Sequence, residues 1–517
     1  VCPFIPVSGV SMDNCIVLSK RVGKRVGEDL SIPVYLYENS SQVPERKNLA
    51  IIRSGEYEGL RDKLVDPNWA PDFGPTEFHE RAGATVIGAR EFLIAYNVNL
   101  NTTDRTYANE IAYEIRERGR WKRTGNIDPF YYKGDVVRFK EGKYPDGNSD
   151  FVGSSLDELA KHYKETTGKD LRERYLSLGL DPDNLIGKPV YKDGKFTNVK
   201  GLGWVIPEYN RAQISMNLTN YRIASIHHIF DTACEEAKKR GLRVTGSEIV
   251  GLIPYDAMKM AAEHYLLKMH KSSGLPVPDL MNVAVQSLGL CDVGDFNPKD
   301  KVLGMPKVDG NLANRVTFDF VDEVSRDSPA PGGGSVAALS GALGAALGIM
   351  VANLSTSKAG FEDQKEKLNE IASKGQAAKD ALIKAIDDDT SAFDQVIKAM
   401  RMPKDTDADK KSRETAMQAG YQIATQVPLE TVKHCRDALQ ICSEISKLMD
   451  DGMASDVGSG ALMANAGAKA AAYNVRINLK SIKNKKFCKA TGNELGELID
   501  ECNLLTELVT QNVDKTL

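Results

Sequence analysis

The sequence predicts a multidomain chain in which two related α+β layers are followed by an all-α helical bundle. Strand-like and helix-like patterns alternate up to about residue 295. A strand-then-helix pair near the front recurs as AQISMNLTN (212–220) followed by ASIHHIFDTACEEAKKRG (224–241). Beyond Val316 strand signals vanish and long helical periodicities follow one another. At 517 residues, 42% of them hydrophobic and 27% charged, the chain is long enough for roughly two to four such domains, each with its own core.

Taken in order, VYLYE (34–38) and EFLIAYNVNL (91–100) alternate apolar and polar side chains as half-buried strands do. TTDRTYANEIAYEIRERG (102–119) has a Thr cap, Ile111 and Ile115 one turn apart, and a closing glycine, so it reads as an amphipathic helix. These elements define a first layer over 1–120. Residues 121–200 are richer in Tyr, Lys, Asp and Gly, with one helical piece near 155–168, and read as an insertion on a surface loop. The second layer occupies 201–295. A Pro/Gly/Asn/Lys-rich stretch without periodicity over 296–315 is a linker, and 316–517 is the helical domain.

Charge and cysteine usage narrow the function. With 67 basic and 71 acidic residues the net charge is -4, which gives no electrostatic reason for a nucleic-acid partner. Eight scattered cysteines form no CxxC pair and no Cys/His ligand spacing, so no metal is expected, and reduced thiols point to a cytoplasmic protein. The run between Asp327 and Lys358 is uncharged and long enough to span a bilayer. Its many glycines dilute the large apolar side chains that lipid favours, and no aromatic or basic belt brackets it, so no membrane span is expected. The start at Val1-Cys2-Pro3-Phe4 looks cut from something longer.

Four places carry chemistry-bearing residues. On the helical pattern of 361–400 the apolar stripe comprises Leu368, Ile371, Gly375, Leu382, Ile386, Phe393, Ile397 and Met400; Asp389 falls inside it, while Asp388 points away and Asp387 lies to the side. A carboxylate on a buried face is either paired, protonated or functional, and desolvation beside two like charges raises its pKa toward the range of acid/base catalysis. The plain alternative is a solvated acidic run. Gly332, Gly333, Gly334 and Ser335 open a helix whose N–H groups attract an anion, although no Walker or dinucleotide motif accompanies them, and the small residues that follow suit close helix packing. In SDVGSGALMANAGAKAAAYNVRINL (455–479), which contains Asp456, the amides of Asn474 and Asn478 stack one turn apart, to bind either a polar heterocycle or a neighbouring helix. NWAPDFGPTEFHERAG (68–83) combines aromatic rings, prolines and acids, which suits either a flat amine-bearing ring such as a pterin or an aromatic plug.

VCPFIPVSGVS (1–11), GEYEGL (55–60), WAPDFGP (69–75), GARxFLIAxNxNL from Gly88 and GSEIVGLIP (246–254) resemble a formiminotransferase domain. SPAPGGGSVAA (328–338), MPKDT (402–406), VPLE (427–430) and SDVGSGA with NVRINL resemble a cyclodeaminase domain. Together they resemble the formimidoyltransferase-cyclodeaminase family of bifunctional folate enzymes in histidine breakdown, over everything except about 121–200. The resemblance implies two ferredoxin-like formiminotransferase subdomains and a helical-bundle cyclodeaminase domain. The first half would move the formimino group of N-formimino-L-glutamate to N5 of tetrahydrofolate; the second would close the ring to 5,10-methenyltetrahydrofolate with release of ammonia. Polyglutamylated tetrahydrofolate is then the co-substrate, with no metal, and a homo-oligomer through both domains is expected.

Carried over by position, the resemblance makes Asp389 the catalytic aspartate of the cyclodeaminase. It makes Gly74, Pro75, Thr76, Glu77, Phe78, His79, Glu80, Arg81, Ala82 and Gly83 the folate-binding loop of the transferase, with Glu114 a further folate contact where Asn is the family's residue. The Gly332 to Ser335 turn, Asp456, Asn474 and Asn478 become candidates for the cyclodeaminase site. The family's transferase histidine precedes the CPFIP motif, so a segment ahead of Val1, with that His and the first strands, is expected, and without it transferase activity is doubtful. The alternatives are a cyclodeaminase or methenyltetrahydrofolate cyclohydrolase alone, and a non-catalytic folate-binding assembly subunit.

Overall fold

The computed structural model describes residues 1–125, 134–306, 310–327 and 330–517. Ser328 and Pro329 of the SPAPGGGS motif, and parts of the 121–200 insertion and 296–315 linker, lie outside the described residues. The chain divides into two compact units, 1–261 with 284–305, and 262–283 with 306–517.

In the first unit β1 (Cys2–Phe4), β2 (Val34–Glu38) and β3 (Thr85–Ala89) form an all-parallel sheet in the order β1-β3-β2. Helix α1 (Met12–Leu30) makes the crossover from β1 to β2 that parallel strands need. Its start is a capping box: the Asn14 N–H donates to the Ser11 hydroxyl and the Ser11 N–H to the Asn14 side chain. Val34, Tyr35, Leu36 and Tyr37 are all buried. The alternation read in VYLYE therefore does not mark a solvated face, because a parallel sheet is covered on both sides and Tyr can fill either.

A second sheet is antiparallel and contains β4 (Ile94–Leu100), β5 (Val199–Ile206), β6 (Arg211–Leu218) and β7 (Val244–Val250) in the order β7-β4-β6-β5. Helix α2 (Arg105–Ile115) lies against β5 and β6 with Ala108, Ile111, Ala112 and Ile115 buried. The expected first layer over 1–120 thus ends earlier: β4 pairs with β6, Tyr96 opposite Met216 and Asn97 opposite Ser215, next to the strand it resembles. Local periodicity identifies a strand but not its partner.

The 121–200 segment is not a solvated loop. Its root is a two-stranded ribbon, Arg120–Trp121 against Tyr191–Lys192, and its helices α3 (Leu156–Thr167) and α4 (Leu171–Ser177) share a core with Phe139, Leu185 and Val190. Its last two residues already belong to β5. Beyond it, α5 (Ile226–Lys239) covers β4 and β7.

The second boundary also differs from expectation. Residues 262–283, expected in the second layer, join the helical unit: the Ser273 N–H donates to the Asn369 side chain at 2.6 Å, and the Asn353 and Gln376 amides donate to the Gly274 carbonyl. Within the linker, Val302–Leu303 pairs with Ile253–Pro254 in the first unit. A sequence pattern shows that a segment has an apolar face, not which core receives it.

The helical unit is built from α6 (Gly333–Thr356), α7 (Lys365–Met400), α8 (Asp407–Ile445), α9 (Ala454–Leu479) and α10 (Lys485–Asp514). Thr406 of MPKDT caps α8 in a capping box with Asp409. α6 lies against α7, α8 and α9, and 61% of its membrane-length apolar window is buried by protein. Its small residues face inward. A Cβ at Gly344 would strike the Gly460 carbonyl of α9, so the two backbones approach as only glycine permits. Several of its large residues face outward: Val336, Leu343, Met350 and Leu354 are exposed, whereas Ile349 and Val351 are buried.

α7 departs from the straight-helix reading in its second half. Phe393 and Met400 are exposed, while Ala392, Val396 and Ala399 are buried. The buried positions Leu368, Gly375, Leu382 and Val396 are spaced in sevens, and Asp389 occupies the place between the last two. A heptad drifts by about 20° per repeat relative to a straight helix, so the apolar stripe expected for a straight helix departs from the buried face past residue 389.

Candidate functional site

Asp389 and the start of α6 form one cradle. The Ser335 N–H hydrogen-bonds the Asp389 carboxylate, and the Ser335 hydroxyl donates to the Ile386 carbonyl one turn earlier at 2.7 Å. Gly334 lies so close that a Cβ there would collide with the Asp389 oxygens. Burial pushes the Asp389 carboxyl above the ordinary carboxylate range, opposed only in part by the Ser335 N–H, and among the described residues no cation pairs with it. Its acidic neighbours are engaged elsewhere. Asp387 accepts from the Leu312 and Ala313 N–H groups at 2.9 and 3.0 Å, and Asp388 binds Lys384 at 2.6 Å. The shift at Asp389 therefore comes from desolvation rather than from the like charges beside it.

The remaining candidates of this unit separate. Asn474 sits at the cradle, its amide nitrogen 3.6 Å from where a Gly333 Cβ would be, and it donates to the Ala470 carbonyl of its own helix. Asn478, one turn on, donates to the Ala424 carbonyl of α8 at 2.7 Å. Ala424 stands four residues before Pro428 of VPLE, so its carbonyl is the one that proline leaves without an intrahelical N–H donor. Asn478 fills that vacancy, which is a structural role. Asp456 lies apart from the cradle: α9 runs antiparallel to α6, Gly460 meeting Gly344 and Asn474 meeting Gly333, which puts Asp456 about 27 Å along the helix from Asn474.

In the first unit the aromatic loop is tied down. Arg46 donates to Asp72 and to the carbonyls of Asn68 and Ala70, and its guanidinium lies over the rings of Tyr35 and Trp69. WAPDFGP is therefore an anchored plug. The stretch Gly74–Gly83 turns on itself where Ala82 N–H donates to His79 Nδ1 and Gly83 N–H to the His79 carbonyl. Phe78 packs edge-on against Tyr57 of GEYEGL and beneath Arg61. Glu114 is committed elsewhere: it is buried, bonded to Arg120 at 2.9 Å and to Lys192 at 3.4 Å, which leaves it unsuited to contact folate.

A cavity of about 1030 Å³ lies in the first unit, among residues that were not expected to form a site. Glu38, Asn39, Arg53, Arg90, Lys200 and Asn220 line it, and none of Gly74–Gly83 does. Burial raises the Glu38 carboxyl, while Arg90, Lys200 and Lys47 pull it back. Glu38 also has φ of 51°, a backbone region that non-glycine residues enter at a cost and that clusters at functional sites. The signal lay in the motif GAR from Gly88, whose arginine, Arg90, reaches this cavity.

Comparison with known proteins adds to this geometry. The model described as formiminotransferase domain, N-terminal subdomain matches 1–90, that for the formiminotransferase domain matches 95–305, and that for formiminotransferase-cyclodeaminase matches 317–497. The formimidoyltransferase-cyclodeaminase of Gallus gallus is 33% identical over 519 residues, covering 100% of this chain and 83% of that protein. The glutamate formimidoyltransferase of Streptococcus pyogenes is 30% identical over 266 residues, 52% of this chain and 64% of that protein. The methenyltetrahydrofolate cyclohydrolase of Methylorubrum extorquens is 34% identical over 200 residues, 39% of this chain and 96% of that protein. With a transferase-type unit and a helical unit that each match in turn, and a relative that matches from end to end, the chain belongs to the formimidoyltransferase-cyclodeaminase family.

Proposed function

We propose that the chain transfers the formimino group of N-formimino-L-glutamate to N5 of tetrahydrofolate in its first unit and cyclises the product in its second. The observation that carries the second step is the partly buried Asp389 carboxyl, held by one backbone N–H and, among the described residues, without a cation. In cyclisation N10 attacks the formimino carbon. The N10 proton and one from solvent end on the departing nitrogen, which leaves as ammonia, and the product is the 5,10-methenyl cation. A carboxyl whose proton affinity is raised toward neutrality can take the first proton and return it, and the chemistry calls for no metal or redox centre. Asn474, at the same cradle, is placed to orient the folate ring, and the α6 N–H groups favour its anionic tail.

In the first unit the polar cavity lined by Arg53, Arg90 and Lys200 suits the carboxylates of formiminoglutamate. The Gly74–Gly83 turn is the place for folate contact, through Phe78 and the polar groups beside it. The exposed apolar side chains of α6, with Leu462, Tyr473 and Ile477 of α9, are a face that a second copy would cover in a homo-oligomer. Eight free cysteines suit a reducing cytoplasm.

The Methylorubrum relative favours a second reading of the helical unit, in which water attacks the same carbon of the methenyl compound. Two assays on one preparation separate them: ammonia released from 5-formiminotetrahydrofolate, and loss of 5,10-methenyltetrahydrofolate by hydrolysis. Faster ammonia release is expected; hydrolysis without ammonia release would establish the cyclohydrolase instead.

A further inference from the structure

The root of the 121–192 subdomain holds a second cavity of about 360 Å³, a size typical of small-molecule sites. Two of its walls are the cross-strand partners Trp121 and Tyr191, directly opposite in the ribbon and therefore on one face of it. A third is Tyr113 from the end of α2. Into the same space come three guanidinium groups with only neutral acceptors. Arg116 lies 4.2 Å above the Tyr113 ring and donates to the carbonyls of Gly119 and Gly201; Arg118 donates to the Tyr191 hydroxyl at 3.2 Å; Arg123 donates to the Gly134 carbonyl at 2.7 Å. Among the described residues no carboxylate pairs with any of the three. Arg120, which also borders the cavity, is by contrast bonded to Glu110 and Glu114.

Glu110 also lines the cavity but is taken up by Arg120. The three guanidinium groups, which among the described residues have no carboxylate partner, repel one another, and an anion seated among them relieves that repulsion. Guanidinium forks match the oxygens of a phosphate, and the exposed Trp121 ring offers a face for a flat heterocycle beside the buried Tyr191. We propose that this cavity binds a nucleoside phosphate, its base against Trp121 and its phosphates on Arg116, Arg118 and Arg123. Its lining residues are distinct from those of the cavity at Glu38 and Arg90 and from those of the Asp389 cradle.

The test is titration calorimetry on the full chain with ADP, adenosine and pyrophosphate. ADP is expected to bind with Kd below about 1 mM, more tightly than either of its halves. Arg118→Glu/Arg123→Glu should weaken ADP binding by about tenfold to a hundredfold. Trp121→Ala, at a position 48% exposed and so tolerant of truncation, should weaken ADP but not pyrophosphate. Melting curves of both variants establish that they are folded. No ADP binding at about 1 mM, pyrophosphate binding as tightly as ADP, or unchanged ADP affinity in both folded variants would overturn the proposal.

Discussion

Glu236 in the first unit is buried and Asp389 in the second partly buried, both on helices, and the protein drives the two carboxyls in opposite directions. Burial pushes Glu236 up, but hydrogen bonds from Lys239, Arg240 and Lys195 outweigh it and hold the group at about 2. Burial likewise pushes Asp389 up, and a single backbone N–H does not undo it. The difference teaches that desolvation alone does not define an acid/base group; the company of cations decides whether a buried carboxyl becomes a fixed charge or a mobile proton.

The strongest way to break this contrast is Asp389→Asn. Ammonia release should fall by about 10² to 10⁴-fold in a chain that still binds folate. Stability should move the other way. An acid whose folded pKa is raised weakens the fold at every pH above that pKa, so the neutral amide should melt no lower, and slightly higher, than the parent at pH 7. An Asp389→Asn chain that releases ammonia within threefold of the parent would remove Asp389 from the chemistry.

Glu236→Gln should do the reverse: activity of the isolated cyclisation step unchanged and stability reduced by roughly 3 kcal/mol at pH 7, because the hydrogen bonds from Arg240, Lys239 and Lys195 then reach a neutral amide in place of a carboxylate. Because the folded pKa lies below the unfolded one, the parent's advantage exists above about pH 4.5 and disappears as pH falls toward about 2. Denaturant titrations of both proteins across that window would show their curves converging; parallel curves would mean that Glu236 is not held as an anion.

Gly334→Ala sharpens the comparison by moving Asp389 without changing its chemistry. The added methyl competes with the carboxyl for one space, and cyclisation should slow by about tenfold to a hundredfold with formimino transfer unaffected. The smallest effect belongs to Asn478. Asn478→Leu should cost about 1–2 kcal/mol in thermal or denaturant unfolding, and Pro428→Ala in that background should recover most of it by restoring an N–H for Ala424. No recovery would show that the two residues are not coupled.

The legible parts of the fold were those set by short-range pattern. The helical domain, the existence of most strands and the inward turn of Asp389 all follow from periodicity within a few turns. What the sequence concealed was partnership. β4 joins β6 rather than the first sheet, 262–283 joins the helical unit, and Glu114 meets Arg120, because each depends on residues far apart in the chain. Asn474 and Asn478 look alike one turn apart on α9, yet one faces the cradle and the other a proline's vacant carbonyl, which no reading of α9 alone separates. The cavity at Glu38 and Arg90 was missed because its lining comes from many separate segments.

The bond from Asn478 to the Ala424 carbonyl also constrains how the sequence can change over generations. A lineage that loses Asn478 while keeping Pro428 passes through a less stable protein, whereas one that first replaces Pro428 frees Asn478 to vary. The two sites should therefore be inherited as a pair, with the proline the first to go wherever the pair has been lost.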